Sequence, residues 1–363
     1  MSVSAPQAER LARITAQDVV DADLNVVVPD TAALLPYLSE YWREQIAQTA
    51  FNGPPDTSYP AGMPTTARAD AKPQRGPASS DLALLREQAL DPWNTQIGIL
   101  TCAYAVESIH NPDAAAAMAS AANDWLIAEW LDKEPRLRAS IVVTPQQPEL
   151  AAREIERVGG HPGFVQVYLP VRAEAPYGNR RYSPLLEAAT RHDLALGIGY
   201  GGAPPNPPTP SGWPSYYLEE WASMSSIFQS QVMSLIFEGA FERFPTLRVA
   251  LIEGGFTWLP ALIWRWDKEW KGLRQQTPWV RRAPSAYIHE HMRLTTQPWD
   301  APSEPTALLQ IIDQLGSDEL LMFSTDYPHW QFDTPDEALP PAGLADNLVA
   351  KIMGGNARAF YRL

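Results

Sequence analysis

Short apolar, β-rich runs alternate with longer amphipathic stretches along almost the whole chain. Eight such runs can be counted, at Val19–Asp23, Ile97–Thr101, Arg138–Val143, Phe164–Val167, Ala195–Gly199, Arg248–Ile252, Arg293–Thr296 and Leu320–Ser324. Strands separated by helix-length segments cannot pair as tight hairpins, so they join through crossovers and build a parallel sheet. Stretches at Asn111–Leu131, Leu150–Val158, Leu218–Phe241 and Trp258–Leu273 carry the helical period that lays one apolar face on such a sheet. No Gly-x-Gly-x-x-Gly loop follows the first run, which argues against an open dinucleotide-binding sheet. Eight βα units fit a closed (β/α)8 TIM barrel, an α/β fold, formed by residues 1–363 as one domain.

Size and composition agree with that expectation. At 363 residues and 45% hydrophobic content the chain can bury a barrel of about 250 residues and still carry insertions. A net charge of −14 opposes contact with nucleic acid or an anionic membrane. The single cysteine, Cys102, excludes an internal disulfide framework and a cysteine-rich zinc site, and reads as a small buried hydrophobe. The first 20 residues lack a long apolar core and no 18-residue apolar run occurs elsewhere, so the expectation is a soluble cytoplasmic protein.

Two segments interrupt the alternation. Residues 31–80 follow the first strand, with a helix predicted over Ala33–Thr49 and then the Pro/Gly/Ala-rich Gly53–Ser80, and together they read as an arm or lid over the barrel mouth. Gly201–Tyr217, after the fifth strand, contains Pro204-Pro205-Asn206-Pro207-Pro208 and reads as a stiff loop shaped in advance, or as a linker.

Chemistry-bearing residues gather at the predicted strand ends. The run Phe323-Ser324-Thr325-Asp326-Tyr327-Pro328-His329-Trp330 leaves a buried strand through a hydroxyl pair, a carboxylate and a proline turn. An aspartate mounted there is fixed by the strand while its oxygens face the loop zone, although the same residue types also cap ordinary strand ends. Asp21 and Asp23 lie at the first strand and Glu253 just beyond the sixth, so acids from distant positions converge as general acid/base or metal chemistry requires. Trp213, Trp258, Trp299 and Trp330 also sit just past strand ends and predict an aromatic-walled pocket, whereas Trp264, Trp266 and Trp270 lie within a helix and suit packing or a subunit interface.

The segments Asp21-Ala22-Asp23-Leu24-Asn25, Leu251-Ile252-Glu253-Gly254-Gly255-Phe256-Thr257-Trp258-Leu259-Pro260 and Ser324-Thr325-Asp326-Tyr327-Pro328-His329 resemble the amidohydrolase-2 family. That group includes aminocarboxymuconate semialdehyde decarboxylase. Gly160-His161-Pro162-Gly163-Phe164-Val165-Gln166-Val167 and Thr295-Thr296-Gln297-Pro298 resemble one branch of it, and the likeness runs from about Val19 to the end. The resemblance implies a divalent metal at the barrel mouth and hydrolysis or non-oxidative decarboxylation of small, often aromatic or unsaturated acids. It also implies ligands after strands one, five and eight, of which Asp23 and Asp326 match positions in this chain. Asn25 and Gly199 stand where the family carries histidines, and Glu253 stands where many relatives have a catalytic histidine. The remaining carboxylates and amide form an oxygen-only set suited to magnesium, calcium or manganese. The expectation is therefore no cofactor, or one divalent metal of reduced affinity held by Asp23 and Asp326.

The other polar residues are weighed one by one. His329 orients substrate or shuttles a proton, or else supports its own loop, and His110 sits at a helix-start turn. His161, His192, His289 and His291 fall at the opposite end of the barrel and read as structural. Gln297 and Tyr200 are neutral hydrogen-bonding groups suited to a substrate oxygen, and Arg172, Arg180 and Arg181 either bind a carboxylate or are solvated. The main expectation is an enzyme hydrolysing a small cyclic or aromatic substrate. Asp326 acts as general acid/base with Glu253 and His329, and Asn25, Tyr200, Gln297 and the four tryptophans hold the substrate. The alternatives are a decarboxylase or another lyase, isomerase or cyclase on the same barrel, and a catalytically idle binding protein. The arm and the tryptophan-rich helix suggest a homo-oligomer.

Overall fold

The computed structural model describes residues 18–55, 57, 59, 66–202, 207, 209, 211–329 and 338–363. Eight parallel strands follow one another around a single sheet: β1 (Val19–Asn25), β2 (Thr95–Thr101), β3 (Leu137–Ile141), β4 (Phe164–Pro170), β5 (Ala195–Gly199), β6 (Val249–Leu251), β7 (Met292–Thr295) and β8 (Leu321–Met322). The first and last strands meet: Ala22 N–H donates to Phe323 C=O at 2.9 Å, and Asn25 N–H to Tyr327 C=O at 2.8 Å. These bonds close the (β/α)8 barrel and remove its sheet edges.

Nine helices among the described residues matter here: α1 (Glu40–Ala47), α2 (Pro112–Leu126), α3 (Pro148–Val158), α4 (Ser183–Arg191), α5 (Tyr217–Phe237), α6 (Leu259–Leu273), α7 (Pro284–His291), α8 (Pro305–Gln314) and α9 (Asn356–Tyr361). Prolines stand in the first turn of α2, α3, α4, α6, α7 and α8, where the missing N–H costs no helix bond. Helix α5 ends earlier than its sequence suggests. Gly239 takes φ 74° and starts a separate short helix at Ala240–Arg243.

The core has two parts. A large shell of side chains fills the space between strands and helices, while Val20, Ala22, Ile99, Ala195, Ala250, Ile252 and Met322 fill the barrel itself. Phe360 and Tyr361 of α9 pack against this inner cluster, and the Tyr361 hydroxyl donates to Gln166 Oε1 at 3.0 Å. Arg248 and Arg293 lie over the Phe360 ring at 5.8 and 5.7 Å, which puts α9 at the strands' N-terminal end. The opposite end, where the strands terminate, is left for chemistry.

The arm divides in two. Its predicted helix divides after Tyr37 into a 3-10 helix, Thr31–Tyr37, which contains Pro36, and α1. That half packs on the flank of the barrel, with the Tyr37 hydroxyl bonded to Glu129 just past α2 at 3.1 Å, rather than over the mouth. The second half returns across the mouth: Arg68 N–H donates to Pro328 C=O at 3.0 Å, and Val27 N–H to Ser79 C=O at 3.0 Å. Of the proline-rich loop after β5, Pro204, Pro205, Asn206 and Pro208 lie outside the described residues. Among the described residues no helix is long and apolar enough to cross a membrane.

Candidate active site

Local backbone irregularities aim the polar side chains. The β1–β2 register shifts between Asp21 and Leu24, an irregularity that changes the parity of the strand. Leu24 joins the outer shell, whereas Asp23 and Asn25 carry on the inward row begun by Val20 and Ala22. Glu253 and Asp326, just past β6 and β8, both take positive φ, 59° and 56°, a conformation uncommon for residues other than glycine and concentrated at functional sites. The Glu253 N–H is held by Thr295 Oγ1 of β7 at 3.0 Å.

These turns bring three groups together. One ligand atom each from Glu253, Asp326 and His329 lies within 4.8 Å of the others. Asp326 Oδ1 accepts from the Asn25 amide at 2.9 Å and lies 3.1 Å from His329 Nδ1, while the His329 N–H donates to Asp326 C=O at 2.7 Å. With Nδ1 on the carboxylate, Nε2 is the ring atom turned to other partners. Asp23 lies deeper, with Oδ1 accepting from Thr101 Oγ1 at 2.8 Å. Its Oδ2 is buried with no hydrogen-bond partner among the described residues. Gln297, at the end of β7, is likewise buried with its Nε2 unsatisfied. Asp21 is a tie rather than a site residue: its carboxylate accepts from the Thr325 N–H at 3.1 Å and the Thr325 hydroxyl at 2.6 Å.

Burial and like charge reinforce one another here. Burial, aided by the negative charge of Asp326 and opposed by His329, pushes the Glu253 carboxyl up to about 8. Burial, then the charges of Glu253 and Asp326, hold Asp23 well above the usual carboxylate range. Burial also raises Asp326, against the charge and hydrogen bond of His329 and the bond from Asn25. Burial works against the His329 cation, but the charge of Asp326, the bond to it and the charge of Glu253 outweigh that and lift the imidazole to about 9. The cluster therefore binds protons at neutral pH and is poised to exchange them for a cation.

A cleft of about 620 Å³ opens beside Asn25 and His329, walled by Val26, Val28, Tyr104 and, from the arm, Ala78. The tryptophan wall expected from sequence is not what surrounds it. Trp213 is 50% exposed and packs on Tyr59, Trp258 Nε1 donates to Gly254 C=O at 2.9 Å, and buried Trp299 donates to Ala338 C=O at 3.1 Å. Trp330 lies outside the described residues. Tyr200 stacks on Trp221 of α5, and its carbonyl accepts from the Tyr168 hydroxyl.

Arg172 is committed elsewhere too. It pairs with Glu220 of α5 at 2.7 Å and donates to Thr57 C=O at 2.8 Å, so it is not presented to a substrate. Arg181 pairs with Glu174 at 2.9 Å, and Arg180 lies over Trp279 at 5.5 Å. His192 contacts Glu156 at 2.8 Å, and His289 and His291 lie 3.0 and 2.9 Å from the carbonyls of Leu315 and Leu247. Gly163 N–H donates to His161 at 3.1 Å, and His110 is exposed.

Sequence reasoning missed Tyr168. A Cβ on Gly199 would lie 2.7 Å from the Tyr168 ring, so this β4 side chain fills the space that a strand-five ligand would need. The signal was a glycine inside a buried strand, which often marks a close approach.

A divalent cation fits this donor set. Two carboxylates and an imidazole converge, a third carboxylate oxygen has no partner, and such an oxygen-rich group suits manganese or magnesium.

The sequence profile of the amidohydrolase family Amidohydro_2 matches residues 20–363. The γ-resorcylate decarboxylase of Polaromonas sp. JS666 is 27% identical over 305 residues, covering 78% of this chain and 88% of that protein. Among solved structures, the dihydroxybenzoic acid decarboxylase of Polaromonas sp. JS666 holds manganese and the inhibitor 2-nitroresorcinol; it matches with TM-score 0.68 and 22% identity over 96% of this chain and 97% of that one. The 5-carboxyvanillate decarboxylase of Novosphingobium aromaticivorans, complexed with manganese and 4-hydroxy-3-methoxy-5-nitrobenzoic acid, gives TM-score 0.71 and 19% identity over 96% of this chain and 97% of that one. The expectation of no cofactor or a weakly held metal is corrected by these manganese-bound relatives together with the Glu253–Asp326–His329 group. It failed because it counted histidines only at familiar ligand positions and gave His329 on the β8 loop a substrate or proton role instead of a place beside a cation. With a family profile spanning the barrel from β1 to α9, the chain belongs to the amidohydrolase family Amidohydro_2.

Proposed function

We propose that this protein is a non-oxidative decarboxylase of a small hydroxylated aromatic carboxylic acid. The observation that carries this reading is a proton-holding carboxyl, Glu253, set beside the Asp326–His329 pair at the mouth of a barrel whose sequence relatives include the γ-resorcylate decarboxylases. Hydrolysis, the main expectation from sequence, has less support, because the relatives matched by sequence are named as γ-resorcylate decarboxylases.

The chemistry asks little of the protein. An aromatic carboxylate loses carbon dioxide when a proton replaces it on the ring carbon, and a neighbouring ring hydroxyl supplies the electron density that makes the carbon accept that proton. Glu253 holds a proton at neutral pH in the metal-free protein and would donate one once the anionic substrate offsets the charge of the cation. Asp326 and His329, in the group that also contains Glu253, would hold the divalent cation, which when bound would fix and neutralise the substrate carboxylate and hydroxyl. Asn25 steadies Asp326, and the unsatisfied Gln297 amide is available to a substrate oxygen.

The test is carbon dioxide release from 2,6-dihydroxybenzoate and 5-carboxyvanillate by protein loaded with manganese, against hydrolysis of aromatic lactones and amides in the same preparation. Release that disappears in Glu253→Gln supports the assignment. Hydrolysis without release from any aromatic acid overturns it.

A further inference from the structure

The cleft is larger than the proposed chemistry requires. A single benzene ring occupies an engineered cavity of about 150 Å³. The space beginning at Asn25 and His329 measures about 620 Å³, roughly four times that, and falls within the range of pockets that enclose drug-sized ligands.

Its walls are fixed. Val26 and Val28 extend the apolar edge of β1 and are 2% and 7% exposed. The arm forms the facing side and is tied at both ends, through Arg68 N–H to Pro328 C=O and through Val27 N–H to Ser79 C=O. The Gln88 side chain also holds the Asp70 carbonyl at 2.9 Å and accepts from the Tyr327 hydroxyl at 3.0 Å. A wall so anchored makes the cleft a preformed space. Ala78 and Tyr104 complete a lining that is mainly apolar, so the space suits a carbon skeleton more than a charged group.

We infer that the cleft receives the remainder of the substrate, and that the substrate is an aromatic acid whose ring carries a second apolar group of about one ring's size. This rests on the decarboxylase reading for the reacting end and on the cleft alone for the distal end. The acid group sits at Glu253, Asp326 and His329. The distal group lies between Val28 and Ala78.

The experiment compares 2,6-dihydroxybenzoate with 2,6-dihydroxy-4-(4-hydroxyphenyl)benzoate in manganese-loaded protein, by carbon dioxide release and by calorimetric binding. The parent and two variants that fill the cleft, Ala103→Trp and Ala78→Trp, are measured together, with melting temperatures confirming that each folds. Ala103 is exposed, so its replacement adds bulk without overpacking the core. The expected result is a kcat/KM about tenfold or more higher for the two-ring acid, with both variants bringing the ratio toward one. Carbon dioxide release with the single-ring acid preferred and an unmoved ratio overturns the inference and leaves the decarboxylase reading standing. No release from either acid, with tighter binding of the two-ring acid that the variants erase, does the reverse. Binding of neither acid overturns the inference.

Discussion

Glu253 and Asp326 leave β6 and β8 in the same left-handed backbone conformation, at φ 59° and 56°, and turn their carboxylates toward the same imidazole, His329. Such a conformation costs about 1–3 kcal/mol for a residue with a side chain and persists only where its surroundings impose it. Here Thr295 fixes the backbone of Glu253, and the Asn25 and His329 contacts fix Asp326. Placing each acid on a sharp turn is what lets strands on either side of β7 share one site.

Replacing either acid by glycine separates stability from activity. Glu253→Gly or Asp326→Gly removes both the backbone strain and a buried carboxyl, so metal-free protein should gain about 1 kcal/mol or more while turnover is lost. Thermal unfolding after chelation measures this. An unchanged or lower melting temperature would show that the site stores no strain.

Asp326→Asn keeps the shape and removes the charge that His329 and the cation need. Its kcat should fall by about 10²–10⁴ with the far-ultraviolet circular dichroism unchanged. Turnover within a few-fold of the parent would remove Asp326 from the mechanism.

Much of this was legible from the chain because the barrel writes itself in periodicity. All eight strands fall where alternation puts them, and Asp326 and Glu253 are conspicuous as acids ending apolar runs. Helix and strand limits were less legible wherever one residue decided them, as Gly239 does. The site was read only in part. Tyr168 carries no motif; its presence follows from the space above Gly199, which a sequence marks only as a missing side chain. Trp258 and Trp299 stood at strand ends as expected, but their indole N–H groups are claimed by backbone carbonyls, and no local pattern reveals that.

The Tyr168–Gly199 relationship can be tested by exchange. Gly199→His alone forces a ring into the Tyr168 position and should cost about 1–3 kcal/mol. Combining it with Tyr168→Ala should recover stability and tighten manganese or zinc binding, read by calorimetry. If the single variant is as stable as the parent, Tyr168 does not fill that space.

The Arg172–Glu220 pair anchors the arm from the side opposite β1. Its side chains are 5% and 0% exposed, and it also binds Thr57 C=O at 2.8 Å and Tyr59 N–H at 3.0 Å. Arg172→Met strands a buried carboxylate and should cost about 3–5 kcal/mol, whereas Arg172→Met with Glu220→Leu should regain much of that loss. A double variant no more stable than the single one would mean that the arm contacts, rather than the charge pairing, dominate.

Cation binding and pH are linked through Glu253. Its carboxyl is pushed from the ordinary 4.5 to about 8, first by burial and then by Asp326, so the folded metal-free protein keeps a proton that the unfolded chain releases across that window. Because the folded state binds more protons there, the Glu253 contribution to stability falls as pH rises from about 4.5 and levels off above about 8. A bound cation supplies the positive charge that lets the carboxyls ionise and so displaces protons. The rise in melting temperature caused by manganese should therefore grow between pH 6 and pH 9, and proton release on titration with manganese, measured in buffers of different ionisation enthalpy, should be larger at pH 6. In Glu253→Gln the metal-free protein should lose one share of this slope, while Asp21, pushed up to about 7, and Asp23 and Asp326, which burial also raises, keep theirs. A manganese effect that stays constant across this range in the parent would place the cation away from Glu253 and His329.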